Sequence, residues 1–289
     1  KIPLLMATDA EWGLSMRLSQ TTRFPFQMAL GALRDDGLIY QMGFEIGLQM
    51  RRLGLHVNFA PVIDINNNPL NPVINYRSFG ENRIRVTQKS IAYMKGLQAA
   101  GIMAVAKHFP GHGDTQTDSH YGLPIIEHNR ARLDSIELYP FQRLIQEGVD
   151  GIMMAHINVP ALDSTPKLAA TLSKKIVTDL LKTEMGFKGL VFTDAMNMKG
   201  VTSGHDLGEP ELMAYLAGND IIEFSLNISA SIAQIEDALK AGSLTTDQIE
   251  IKCRRILHQK YKLGLHKKSF QKSENLILDI NNQTARDLN

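Results

Sequence analysis

Short apolar segments alternate with amphipathic helical patterns along most of this 289-residue chain. The apolar segments are rich in Val, Ile, Met and Ala and show no polar alternation, which is typical of parallel strands that are buried on both faces. Six strands are predicted in this way: Pro3–Thr8, His56–Pro61, Met103–His108, Gly151–His156, Gly189–Asp194 and Asp220–Phe224.

Helices are predicted between these strands and after the last one. Ser173 suits the N-cap of one helix, and Gly186 and Gly264 suit the positions that follow two others. Strands that alternate with helices indicate an α/β fold with right-handed crossovers. The predicted helices are Asp36–Leu53, Arg83–Ala100, Arg130–Glu147, Ser173–Met185, Glu209–Ala217, Ser229–Ala241 and Thr245–Leu263.

Polar side chains follow the carboxyl ends of the predicted strands, and their distribution separates two architectures. In a TIM (β/α)8 barrel all strand ends meet at one face, whereas an open sheet binds its ligand at a single switch point. The pattern therefore favours the barrel, although only six of its eight strands are visible and two are missing or overlooked. The strand-end residues are Asp9, Asp64, Lys107 with His108, His156, Asp194, and Glu223 with Ser225.

The composition of the chain excludes several classes of protein, and its sequence also predicts a domain boundary. The net charge of +1 gives no electrostatic footprint for nucleic acid or an anionic membrane. Cys253 is the only cysteine, which excludes a disulfide framework within the chain, and no apolar run approaches the length of a membrane span. We expect a barrel over residues 1–266, followed by a tail or linker over 267–289. Cytoplasmic and periplasmic or cell-envelope locations both stay open.

The densest cluster of chemistry-bearing residues runs from Lys107 to Asp114. A zinc site on His108 and His112 would need a helix to bring them onto one face, and Pro110 and the flanking glycines argue against a helix. We therefore expect no metal here, and we expect a tight turn after the strand that presents Lys107 and His108 as hydrogen-bond donors.

Two further candidates have the chemistry of an acid/base and of a nucleophile. Asp118 and His120 lie two residues apart in a glycine-flanked loop, and a carboxylate beside an imidazole makes it a usable acid and base. Asp194 closes an apolar strand, where a barrel places a nucleophile, although it could equally cap the next helix.

Other strand-end groups suit a polyhydroxylated ligand, which needs bidentate donors and acceptors around its hydroxyls. Asp9, Arg17 and Arg77 are of this kind, although each could instead form a structural ion pair. Trp12, the only tryptophan, is a candidate platform for stacking a sugar or a core residue.

Taken together, these segments resemble glycoside hydrolase family 3, in particular its β-N-acetylglucosaminidase (NagZ-like) branch. The resemblance runs in order from about Ile2 to Leu265. The segments that carry it are Asp9-Ala10-Glu11-Trp12-Gly13, Asn58-Phe59-Ala60-Pro61-Val62-Ile63-Asp64, Arg77-Ser78-Phe79-Gly80, Lys107-His108-Phe109-Pro110-Gly111-His112-Gly113 with Asp118-Ser119-His120, and Gly186-Phe187-Lys188-Gly189-Leu190-Val191-Phe192-Thr193-Asp194.

The resemblance implies retaining hydrolysis of terminal β-N-acetylglucosamine from peptidoglycan fragments, without a cofactor. It implies that Asp194 is the nucleophile and that His120, oriented by Asp118, is the acid/base. The residues implied to bind the sugar ring are Asp9, Arg17, Arg77, Lys107 and His108.

The chain departs from the family pattern at three places. Trp12 and Leu14 replace a common Gly and Arg, which implies an altered rim. Family barrels carry two strands before the one that ends at Asp9, so we expect an N-terminal piece to be absent here or to pair as a separate segment. The tail over 281–289 resembles a linker into a possible second domain beyond residue 289. The alternatives are a family 3 β-glucosidase and a non-catalytic sugar-binding module.

Overall fold

The six predicted strands form one parallel sheet in which each strand pairs with the next along the chain. The computed structural model describes residues 2–118, 122–267 and 273–289. The sheet curves as a half-barrel, with α-helical connections on its outer side. Its strands are β1 (Ala7–Thr8), β2 (Val57–Asn58), β3 (Met103–Phe109), β4 (Gly151–Met154), β5 (Leu190–Ala195) and β6 (Ile221–Glu223).

Most helices lie where the apolar periodicity predicts them, within one or two residues at each end. The helices are α1 (Gln27–Gly31), α2 (Asp36–Arg52), α3 (Arg83–Ala99), α4 (Arg130–Ser135), α5 (Tyr139–Gln146), a π-helix (Lys175–Glu184), α6 (Lys199–Thr202), α7 (Glu209–Ala217), α8 (Ile228–Lys240), α9 (Thr246–Lys262), α10 (Leu276–Ile280) and α11 (Gln283–Asp287).

The single helix predicted over Arg130–Glu147 is wrong, because the structure divides it into α4 and α5. The chain leaves helical geometry at Ile136, and Pro140 then occupies the first turn of α5. A proline there loses no hydrogen bond, since the first N–H groups of a helix have no partner within it. Apolar periodicity continues across such a break and therefore cannot reveal it.

Alternate residues along the strands separate the two faces of the sheet. The outer face packs on α2, α3 and α5. On the concave face a second apolar cluster takes every other residue of the strands, Met103 and Val105 of β3 and Leu190 and Phe192 of β5 among them. Because side chains alternate with a period of two, the next concave positions are the polar residues at the strand ends. The concave cluster is Val57, Phe59, Met103, Val105, Met153, Leu190 and Phe192, with Leu5, Ala7 and Ile221 packed against it.

Residues 273–289 pack back onto the first half of the chain. Ile280 and Ala285 are buried, and Asn282 donates to Glu45 of α2 at 2.7 Å. Asn281 Oδ1 accepts from the backbone N–H of Thr22 at 2.8 Å. The division at residue 266 and a second domain stay predictions. No helix in the described ranges is long and apolar enough to span a membrane.

Candidate active site

A cleft of about 590 Å³ opens at the carboxyl ends of the strands. Because each strand ends at this edge of the sheet, side chains far apart in sequence meet there. The cleft brings together all but one of the predicted site residues, and that one, His120, lies outside the described residues. The predicted residues that line it are Asp9, Arg17, Arg77, Lys107, His108, Asp118 and Asp194.

The floor of the cleft is an ion-pair network centred on Glu11, a residue for which the sequence predicts no role. Lys107 Nζ lies 2.8 Å from both Glu11 Oε1 and Asp9 Oδ1. Arg77 binds the Glu11 carboxylate with both ends of its fork, Nη2 to Oε1 at 2.8 Å and Nε to Oε2 at 3.0 Å. Arg17 pairs with the second oxygen of Asp9. The bidentate contact with Glu11 therefore fixes Arg77 in place, and Lys107 is fixed between the carboxylates of Glu11 and Asp9.

Burial disfavours the charged form of each group in this network, but the oppositely charged partners together have the larger effect on its pKa. Burial alone would raise the pKa of Glu11, but Lys107 and Arg77 hold it far below its usual range. Burial would likewise lower the pKa of Lys107, which Glu11 and Asp9 raise instead. The groups at the cleft floor thus stay ionised, with their donors fixed in direction before any ligand arrives.

His108 is held by the buried carboxylate of Asp64, another strand-end residue. Its Nδ1 lies 2.7 Å from Asp64 Oδ2, so that nitrogen carries a proton, and its Nε2 faces Arg77 Nη2 at 3.3 Å. Asp64 also accepts from the backbone N–H of His112 at 2.6 Å. The His112 ring is engaged by the Thr115 hydroxyl at 2.7 Å, and burial together with His108 lowers its pKa to about 4. Both rings considered for zinc therefore have partners within the protein.

Asp194 is the penultimate residue of β5 and lines the cleft. Its Oδ1 accepts from the backbone N–H of Ala195 at 2.8 Å. Burial would raise its pKa, but His108, His156, the Ala195 N–H and Lys107 keep it below the usual value, so the side chain is a carboxylate. The following helix, α6, is preceded by Met198 at its N-cap. Asp194 is therefore not a helix cap, which removes that alternative.

His156, two residues after the neighbouring strand β4, supports the end of β5. It is almost fully buried, and its Nε2 lies 3.1 Å from the carbonyl oxygen of Ala195. Its Nδ1 contacts the Thr171 hydroxyl at 2.8 Å. The sequence places His156 at a strand end but gives no sign that it holds the backbone beside Asp194.

The loop that carries Asp118 is anchored at the stem that leads into it. Asn71 donates to the His112 carbonyl at 2.8 Å, and Asn68 donates to the Thr115 carbonyl at 3.2 Å. At Gly113 a Cβ atom would lie 1.8 Å from the carbonyl oxygen of Ile65, so only glycine allows this approach. The turn predicted after β3 is thus built by close backbone packing.

An aromatic cluster forms one wall of the cleft. Trp12 packs edge-on against Phe26 with 4.8 Å between the ring centroids, and Tyr76 packs against Phe26 at 4.5 Å. Trp12 and Tyr76 both line the cleft. The Trp12 that replaces a common family glycine is therefore part of this wall.

One group of metal-ligating side chains occurs among the described residues, and it lies outside the cleft. Asp114, His128 and Glu137 place their ligand atoms within 4.8 Å of one another. His128 Nε2 already bonds to Asp114 at 2.6 Å, and Arg132 binds Glu137 at 2.7 Å. The Arg132 guanidinium that binds Glu137 offsets the carboxylate charge that would attract a cation.

Comparison with known proteins places this geometry in a family. Residues 1–259 match the N-terminal domain of glycosyl hydrolase family 3. Beta-hexosaminidase A of Pseudoalteromonas piscicida is 38% identical over 287 residues, which cover 91% of this chain and 48% of that protein. A beta-N-acetylglucosaminidase/beta-glucosidase of Cellulomonas fimi is 29% identical over 274 residues, covering 92% of this chain and 49% of that protein.

A solved structure shares the fold. The family 3 beta-N-acetylglucosaminidase of Paenibacillus sp. str. FPU-7 superposes with a TM-score of 0.92 and 37% identity, covering all of this chain and 55% of that one. The chain thus spans about half the length of these relatives.

Proposed function

The chain belongs to glycosyl hydrolase family 3, and on that premise we propose that it carries the catalytic domain of a β-N-acetylglucosaminidase. The substrate is a saccharide or muropeptide with a terminal, non-reducing β-N-acetylglucosamine, as in peptidoglycan fragments. One observation carries the proposal: an ionised Asp194 faces a cleft whose floor presents fixed donors and acceptors for a sugar.

In this proposal Asp194 attacks the anomeric carbon and forms a glycosyl-enzyme ester while the bond to the leaving oxygen breaks. His120, oriented by Asp118, donates a proton to that oxygen. It then takes a proton from water, which attacks the ester and releases the sugar with its β-configuration retained. The low pKa of Asp194 suits a nucleophile that must be ionised at neutral pH.

The sugar ring is held by Asp9, Arg17, Arg77, Lys107 and His108, which together supply acceptors and fixed donors for its hydroxyls. Glu11 pairs with Arg77 and Lys107, and Asp64 pairs with His108, so these donors are held in place by the protein. This preorganisation lowers the cost of ordering side chains when the sugar binds.

The complete enzyme would close its sheet as an eight-stranded barrel. Two further strands would fit between β6 and β1, which are the two edges of the six-stranded sheet. Such closure would remove both exposed edges. A barrel over 1–266, with a tail that leads to a second domain, completes this proposal.

The direct test is release of 4-nitrophenol from 4-nitrophenyl N-acetyl-β-glucosaminide by the 289-residue chain. We expect Asp194→Ala to lose at least about 10³-fold in kcat, with partial rescue by azide, which would give a glycosyl azide of inverted configuration. His120→Ala should lose far more on leaving groups of high pKa than on 4-nitrophenol. The matched control is Asp237→Ala on the exposed face of α8, and EDTA should have no effect.

The same assay distinguishes the proposed activity from two alternative functions. A family 3 β-glucosidase, suggested by the double name of the Cellulomonas fimi relative, would prefer the glucoside over the N-acetylglucosaminide. A sugar-binding module would bind N-acetylglucosamine with no turnover of either substrate. Either outcome would refute the proposed activity.

A further inference from the structure

Glu223 is a carboxyl group at the mouth of the half-barrel that the proposed reaction does not use. It ends β6, and it follows Ile221 of the concave apolar cluster by two residues. The period of two along β6 gives Glu223 the concave position at its strand end. On β5 the register shifts between Phe192 and Ala195, and Asp194, which lies within that irregular stretch, lines the cleft. Glu223 pairs in register with Ala195, the residue after Asp194.

The backbone of Glu223 is fixed, whereas its carboxyl group is available. Its N–H donates to the Thr193 hydroxyl at 2.9 Å, and its carbonyl oxygen accepts from Met196 at 2.9 Å. Within residues 2–118, 122–267 and 273–289 its half-buried carboxyl makes no hydrogen bond or ion pair. A half-buried carboxyl group without a protein partner can donate to or accept from a ligand.

The charged groups that act on Glu223 from the ends of other strands are carboxylates. Burial, and then the carboxylates of Asp9, which follows β1, and of Asp194 on β5, raise its pKa to about 7. Asp9 is itself neutralised by Lys107 and Arg17. On α7, Glu211 is held by the hydroxyl of Ser225.

The order of residues around the mouth indicates which edge of a sugar Glu223 would meet. Along the strand order from Asp194 on β5 back to Asp9 after β1 lie His108, Lys107 and Arg77, which line the cleft. On the other side of β5 lies β6 with Glu223, and the residue after it, Phe224, rather than Glu223 itself, lines the cleft. A pyranose with its anomeric carbon at Asp194 has one edge with the C2 and C3 substituents and one with the ring oxygen and the C5 hydroxymethyl group. The arc of donors matches the first edge, which leaves the hydroxymethyl edge to Glu223.

We propose that Glu223 is a specificity-determining residue that binds the exocyclic C6 hydroxyl of the terminal sugar. This assignment rests on the proposed function, because it orients the sugar by placing its anomeric carbon at Asp194. As a carboxylic acid Glu223 can donate to or accept from a hydroxyl, and as a carboxylate it accepts through a stronger, charge-assisted bond.

The test compares kcat/KM for 4-nitrophenyl N-acetyl-β-glucosaminide and for its 6-deoxy analogue. The chain should prefer the 6-hydroxyl substrate by about tenfold or more, since the analogue leaves the half-buried Glu223 carboxyl without its hydroxyl partner. This preference should rise between pH 6 and pH 8 as Glu223 ionises. Glu223→Leu should reduce the preference to about twofold or less. Glu223→Gln should keep a preference that no longer changes with pH.

The matched control is Glu147→Gln at the end of α5, whose partner is the exposed Lys95, and its preference should follow the unaltered chain. An undiminished preference in Glu223→Leu, or equal losses on both substrates, would overturn the assignment. A Glu223→Gln variant that fails only on leaving groups of high pKa would also overturn it, because Glu223 would then be an acid catalyst.

If the unaltered chain hydrolyses neither glycoside, the proposed function fails by itself. Calorimetric binding of N-acetylglucosamine and its 6-deoxy analogue then decides the inference. Loss of discrimination in Glu223→Leu supports it, and equal discrimination in both proteins refutes it.

Discussion

Replacing Glu11 by glutamine would remove the charge at the centre of the cleft floor without changing the volume of the side chain. In the native structure this carboxylate contacts Lys107 and both arms of the Arg77 fork. The variant leaves Arg77 without its carboxylate partner and Lys107 with Asp9 alone. Removal of one partner from a buried ion pair costs about 3–5 kcal/mol, because the remaining charge stays buried without compensation.

The assay is urea unfolding at pH 7, followed by circular dichroism. For a domain of this size the same loss corresponds to a decrease of about 5–8 °C in Tm. The control is again Glu147→Gln, since an exposed pair contributes about 0–1 kcal/mol. A Glu11→Gln variant within about 1 kcal/mol of the native free energy of unfolding would refute the view that this network is held by buried charge.

Two further predictions follow from the loop stem and from Glu223. Gly113→Ala would force a Cβ into the Ile65 carbonyl, so we expect a loss of about 1–3 kcal/mol in urea unfolding and at least about tenfold in kcat/KM on 4-nitrophenyl N-acetyl-β-glucosaminide. Gly122→Ala on the same loop, which meets nothing closer than 4.0 Å, should change both far less, and equal losses would contradict the clash. Because the pKa of Glu223 is raised to about 7, the folded state holds its proton more tightly than the unfolded state, and stability should fall as pH rises from about 4.5 to 7, by about 2–3 kcal/mol. Glu223→Gln should remove that part of the pH dependence of the urea midpoint; an unchanged slope would show that other groups cause it.

The strand ends could be predicted from sequence because one periodicity governs both the core and the site. Unbroken apolar segments locate the strands, and the residue that ends each of them must lie at one edge of a parallel sheet. This reasoning predicts Asp9, Lys107 and Asp194, and the cleft brings them together. The break between α4 and α5 was missed, since apolar residues continue at helical spacing through Ile136.

The electrostatic roles could not be predicted, because they depend on which charges meet in three dimensions. Nothing local to Glu11 indicates that Arg77, 66 residues later, binds both of its oxygens. The same holds for His156, which contacts Ala195 at the end of β5, 39 residues later. A signal did exist for Glu11, since it lies two residues after Asp9, yet a carboxylate in a loop is more often solvated than buried.

The packing of residues 273–289 on α2 has a consequence for synthesis of the chain. A ribosome makes proteins from the N-terminus, so α2 emerges more than two hundred residues before the segment that covers it. Until Ile280 and Ala285 appear, the apolar surface they cover on the first half of the chain faces water or a chaperone. The bond between Thr22 and Asn281 can therefore form only after the ribosome has added the 259 residues that lead from one to the other.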